Sequence, residues 1–153
     1  MTPNQNSQSR VTIHVLHVDD EEDNLLISKI YLNKVDPSII LEQISQPEKA
    51  LKKLKDEQFD CVVTDYMMPS MDGIELASMI RENSDIPIIL YTGRGSEEVA
   101  EKASNIGIND YIRKEIGLTH FTLLSKRIRV AVMKHQAEMK FKTRTLALGA
   151  EYE

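Results

Sequence analysis

A chain of 153 residues, 41% hydrophobic and 28% charged, is long enough to bury one compact core. Its formal charge of −5 divides unevenly: residues 126–153 carry seven Lys and Arg against three Glu, leaving twelve basic against twenty-one acidic side chains in residues 1–125. That acidic body excludes a surface tracking nucleic-acid phosphates, the single cysteine Cys61 excludes an internal disulfide or Cys-based zinc site, and no apolar run approaches the ~18 residues of a membrane span. The chain therefore reads as cytoplasmic, with no direct nucleic-acid or membrane partner.

Residues 1–10, MTPNQNSQSR, predict a disordered polar arm with no charged-then-apolar leader. From residue 11, short apolar runs rich in β-branched residues alternate with helix-like segments. Strands are predicted at 11–18, 39–44, 59–64, 86–92 and 108–112, and helices at 22–35, 47–57, 73–82, 96–105 and 118–140. Pro47 fits a first helical position, Asp72 and Ser96 fit N-caps, and Gly107 stands just past a helix end. The alternation predicts an α/β fold with one parallel sheet covered by helices on both faces. The last helix carries Leu124, Ile128 and Val132 at i, i+4 spacing, continued by Met139, with no Gly or Pro in 118–148. It should outrun the sheet, leaving Val132, Met133 and Met139 partly exposed for a homodimer or another protein's helix; a frayed solvated tail is the bland alternative.

In an open α/β sheet, ligands bind beyond the carboxyl ends of the strands where the strand order reverses. Asp19 and Asp20 follow the first strand, Asp65 the third, Thr92 the fourth and Lys114 the fifth. Crowded carboxylates repel one another unless a cation relieves them, and hard oxygen ligands favour Mg²⁺, which commonly joins carboxylates to a phosphate. A hydroxyl and an ammonium opposite the acids would serve phosphoryl oxygens. The set points to phosphoryl transfer. Taken singly each residue has a plainer explanation: DDEED could cap a helix, Thr92 could end a strand and Lys114 could be a solvated lysine. Met67, Met68 and Met71 suit core filling better than a soft-metal site. His17 reads as a satisfied core residue, with His14, His120 and His135 scattered, so no His-based metal site is supported.

The motifs HVDDEED, VVTDYMMPSMDG, ILYTGRG and DYIRKE, in this order on successive strand ends, resemble the receiver domain of two-component response regulators over residues 11–130. The resemblance implies a flavodoxin-like doubly wound sheet of five strands in the order 2-1-3-4-5, with residues 131–153 extending the last helix. It implies a non-enzymatic phosphoacceptor in which Asp65 takes a phosphoryl group from a sensor histidine kinase. Asp19, Asp20, Asp65 and the carbonyl of Met67 would bind Mg²⁺, and Thr92 and Lys114 would hold the phosphoryl oxygens. Thr92 and Tyr111 would switch the face made by the fourth helix, fifth strand and fifth helix, where a downstream protein docks. Family members usually have proline after the strand-5 lysine, in a cis bond; here Glu115 follows Lys114, and a trans peptide is expected because cis without proline costs about 2.5–4 kcal/mol. Alternatives are the receiver portion of a longer hybrid kinase or regulator, and a Mg²⁺-dependent aspartyl phosphatase, whose Asp-x-Asp-x-Thr pattern DDEED does not fit.

Overall fold

The computed structural model describes residues 11–152, with side chains described to Gly149, so the polar arm expected at 1–10 lies outside the described residues. Successive strand residues point to opposite faces of a sheet, and in this chain both neighbours are apolar. Val15 and Leu16, Val62 and Val63, and Ile88 and Ile89 are all buried, so each pair feeds two separate cores. A sheet apolar on both sides needs helices on both sides.

The elements are β1 (Ile13–Val18), α1 (Glu22–Val35), β2 (Ile39–Ile44), α2 (Ala50–Asp56), β3 (Cys61–Thr64), α3 (Gly73–Arg81), β4 (Ile88–Thr92), α4 (Glu97–Asn105), β5 (Asp110–Arg113) and α5 (Leu118–Tyr152). The strands pair in parallel in the order β2-β1-β3-β4-β5, as the sequence predicts. One core joins Ile13, Val15, Val63 and Ile89 to Phe121, Leu124 and Ile128 of α5; the other joins Leu16, Val62, Ile88 and Leu90 to Leu76 and Ile80 of α3 and Ala103 of α4. Among the described residues no helix is long and apolar enough to cross a membrane.

Local rules account for the boundaries. Asp72 Oδ1 accepts from the Glu75 N–H at 2.8 Å and Ser96 Oγ from Val99 N–H at 3.3 Å, the two predicted caps. Gly107 takes φ +87° just past α4, a left-handed conformation that favours glycine. Pro47 opens a single 3₁₀ turn, Pro47–Lys49, and the α-helix starts only at Ala50. At the amino end of the sheet, the Asp60 N–H donates to the His14 carbonyl at 2.7 Å and the His14 N–H to Asp60 Oδ2 at 2.8 Å, clasping β3 to β1.

The last helix departs from expectation in two ways. It continues to Tyr152 rather than ending near residue 140, since no Gly or Pro interrupts 118–148 and even Gly149 lies within it. Its 35 residues span ~52 Å at 1.5 Å per residue. Val132 is not exposed: at 2% accessibility it belongs to the first core, because α5 stays against the sheet one turn longer than the stripe suggested. Met133 and Met139 are exposed, as expected.

Candidate functional site

The strand order turns at β1, whose partners β2 and β3 lie on either side, and the crevice beyond the carboxyl ends of β1 and β3 is the expected ligand site of such a sheet. Asp19 and Asp20 leave β1 there and Asp65 leaves β3. Glycine makes the second wall: a Cβ on Gly73 would stand 2.1 Å from the Asp65 carbonyl oxygen, so only glycine lets α3 begin this close. The Gly73 N–H closes the loop onto Tyr66 O at 2.8 Å.

Asp19 is fully buried and Asp65 is 7% exposed. Lys114, entering from the end of β5, places its ammonium 2.7 Å from Asp19 Oδ2 and 3.0 Å from Asp65 Oδ2. The other Asp19 oxygen accepts from the Glu21 N–H at 2.9 Å, which shapes the turn before α1 without capping it, since the N-cap Glu21 has no side-chain capping bond. The other Asp65 oxygen accepts from the Tyr66 N–H at 2.7 Å. Carboxylate oxygens of Asp19, Asp20 and Asp65 lie within 4.8 Å of one another. Asp20 Oδ1 is buried and has no hydrogen-bond partner among the described residues.

Three carboxylates face one ammonium, and the excess negative charge shows in the titration of both kinds of group. Burial pushes the Asp19 carboxyl above its usual range, and the Asp65 charge adds to this against the pull of Lys114. Burial would lower the Lys114 ammonium, but Asp19 and Asp65 outweigh it and hold it above its ordinary value. A pocket of oxygen donors with surplus negative charge and an unpartnered buried oxygen fits a hard divalent cation. Asp19, Asp20 and Asp65 could hold it; Met67 is two residues past Asp65, its side chain half exposed.

Thr92, nearly inaccessible at the end of β4, accepts from the Arg94 N–H at 3.1 Å, and its carbonyl accepts from the Lys114 N–H at 3.0 Å. Tyr111 reaches from β5 to the same loop: a Cβ on Gly95 would stand 1.4 Å from its hydroxyl oxygen. No cis peptide occurs among the described residues, so Lys114–Glu115 is trans as expected. Asp19, Asp20, Asp65, Thr92 and Lys114 thus gather at one end of the sheet, with the Tyr111 hydroxyl against Gly95 in the loop after β4.

Sequence reasoning missed a supporting aromatic layer. Tyr91 donates to or accepts from His120 Nε2 at 2.8 Å, stacks on that ring, and lies under the Lys114 ammonium, which is 5.6 Å from the ring centroid. His17 is only half satisfied: Nδ1 lies 3.2 Å from Gln43 Nε2, while Nε2 has no partner among the described residues. Burial, then Lys114, lowers its pKa to about 3, so it is neutral. Its place in a strand, two residues before the first acid, was the available signal.

Residues 15–129 match the family model described as response regulator receiver domain. The chain belongs to the response regulator receiver family. This receiver is 33% identical over 100 residues to the transcriptional regulatory protein SrrA of Staphylococcus aureus, covering 65% of the chain and 41% of that protein. The chain thus spans about two fifths of such relatives. In structure it is similar to a CheY-like receiver domain protein from Methanospirillum hungatei JF-1, with a TM-score of 0.72, 24% identity, and coverage of 82% of this chain and 98% of that one. It is also similar to the chemotaxis protein CheY4 of Vibrio cholerae, with a TM-score of 0.69, 23% identity, and coverage of 77% and 99%.

Proposed function

We propose that this receiver accepts a phosphoryl group on Asp65 from a phosphohistidine of a sensor kinase and acts as a switch rather than as an enzyme with its own turnover. The observation that carries the reading is the surplus of negative charge around the Asp20 oxygen that has no partner, beside an ammonium shared by Asp19 and Asp65. Asp19, Asp20, Asp65 and the Met67 carbonyl would hold Mg²⁺, which supplies charge neutralisation and orientation for the phosphoryl oxygens. An Asp65 carboxylate oxygen forms the new bond to phosphorus as the phosphorus–nitrogen bond breaks, and the electron pair returns to the imidazole. Lys114 then trades its contact with Asp65 for a phosphoryl oxygen.

Thr92 supplies the switch. Its hydroxyl would leave the Arg94 N–H for the phosphoryl group, freeing the turn that holds Gly95 against the Tyr111 hydroxyl. The α4–β5–α5 face then becomes the docking surface for a downstream protein, a two-state equilibrium biased by the new charge. The test is labelling by acetyl phosphate in the presence of Mg²⁺, with chemical shifts followed on adding beryllofluoride. Labelling that persists in Asp65→Asn would overturn the assignment, and shifts confined to the acidic pocket would remove the switch. A second reading, the receiver portion of a longer regulator or hybrid kinase, is favoured by the chain spanning only 41% of SrrA.

A further inference from the structure

A groove of about 1420 Å³ opens at the amino end of the sheet, far from the acids. One wall is α2 with the end of α3 and the loop after it, including Leu51, Leu54, Met79 and Ile86; the other is the inner side of α5, with Val132 and Met139. Acids dominate its rim: Asp56, Glu57, Asp60, Glu82 and Asp85, against Lys52, Lys55 and Lys140. His135 Nε2, 3.1 Å from Asp85 Oδ1, is the last polar tie between α5 and the body among the described residues, and residues 136–149 are all exposed.

The overhang has the complementary chemistry. Lys142 and Arg144 stand there, and no acid occurs between Glu138 and Glu151. Phe141 is 71%, Leu146 76% and Leu148 54% exposed. At about 100° per residue, Phe141 and Leu148 share one side of the helix while Leu146 lies on roughly the opposite side. A helix resting on a flat membrane surface needs a single apolar face. One that is apolar on two opposite sides suits a slot with two apolar walls. Its own groove is out of reach, because the continuous helix carries the overhang away from it.

We propose that the α5 overhang, residues 141–149, seats in this groove of a second copy of the chain, with the exchange reciprocal about a two-fold axis. Each basic tail meets the other copy's acidic rim, and two tails fill two grooves, which closes the assembly at a dimer. None of Asp19, Asp20, Asp65, Thr92 or Lys114 lines the groove, so the pairing does not depend on phosphorylation.

The test is light scattering on the unphosphorylated full chain over a range of concentrations. A species of twice 17.5 kDa is expected at high concentration. Phe141→Glu with Leu146→Glu in the tail, or Met79→Glu in the groove, should each weaken pairing by about ten-fold or more. These side chains are exposed in the single chain, so circular dichroism should show each variant folded. Mixing the tail variant with the groove variant should restore a heterodimer, because one intact tail still meets one intact groove. The proposal is overturned if the chain is a monomer throughout, if Met79→Glu pairs like the parent, or if mixing restores nothing. Sedimentation of the monomer with anionic phospholipid vesicles, in place of pairing, would overturn it as well.

Discussion

Two buried charge clusters in this molecule are built to opposite rules. At Asp36, on the loop after α1, the Arg129 guanidinium donates from Nε at 2.6 Å and from Nη2 at 2.9 Å, and the Ser38 hydroxyl donates at 2.5 Å. Burial would raise that carboxyl, but Arg129 and Ser38 outweigh it and hold it below the usual carboxylate range. At the carboxyl ends of β1 and β3, two of three neighbouring carboxylates share one ammonium, Asp19 is pushed up, and an Asp20 oxygen has no hydrogen-bond partner among the described residues. A cluster whose charges and hydrogen bonds balance fastens α5 to the body. A cluster with charge to spare is poised to take a ligand.

The largest effect that would test this contrast is functional. Asp65→Asn should reduce acetyl phosphate labelling to background, while its thermal midpoint stays level or rises, because one of three repelling charges is gone. A clear fall in the midpoint would make the crevice a stabilising cluster like the other. Next comes Arg129→Ala, which removes the two guanidinium hydrogen bonds from a buried carboxylate and should lower the unfolding free energy by about 3–5 kcal/mol in a denaturant titration. Lys114→Ala should cost less and should be offset by Mg²⁺, whereas Mg²⁺ should not rescue Arg129→Ala. Equal losses, or equal rescue, would erase the distinction.

Titration supplies a finer test, with opposite signs at the two clusters. The Asp36 carboxyl lies below its ordinary 3.8, so its stabilisation is complete above that value and is lost as pH falls through the lower folded one. Asp19 lies above 3.8, so its contribution is present below 3.8 and is lost as pH rises through the raised value. With chelator present, Asp36→Asn should be less stable than the parent near neutral pH and Asp19→Asn more stable, with both differences closing under strong acid. Unfolding midpoints across pH check this, and like signs would break the contrast. The smallest effect belongs to Lys53, which pairs with Glu42 at 2.5 Å and Glu57 at 2.7 Å in the open. Lys53→Met should leave the melting temperature within measurement scatter, since exposed pairs contribute little.

The parallel sheet and the meeting of Asp19, Asp20, Asp65, Thr92 and Lys114 were legible because each signal is local, an apolar run and then a polar residue at its end, whereas the strand order came only from the resemblance of the motifs to receiver domains. The extent of Val132 burial was not, since it depends on how far the sheet's edge reaches under α5, and no spacing in α5 records that. Gly95 and Tyr91 escaped for a related reason. What matters at each is the neighbour across the fold, the Tyr111 hydroxyl for one and the Lys114 ammonium for the other. The balance at Asp36 was equally hidden, its partner Arg129 being ninety-three positions away.

The clasp between His14 and Asp60 works as the zero mark of a ruler. In β3 the residues Cys61, Val62 and Val63 are apolar on both faces, so sliding the strand by one residue would trade one greasy layer for another at little hydrophobic cost. Hydrophobicity alone cannot tell the two alignments apart. A slip would carry Asp65 ~3.3 Å along the strand and point it at the wrong side of the sheet. The paired bonds at Asp60 have no counterpart one step away, so five residues before Asp65 the chain is already indexed, and the accuracy of the crevice is set at the opposite end of the sheet.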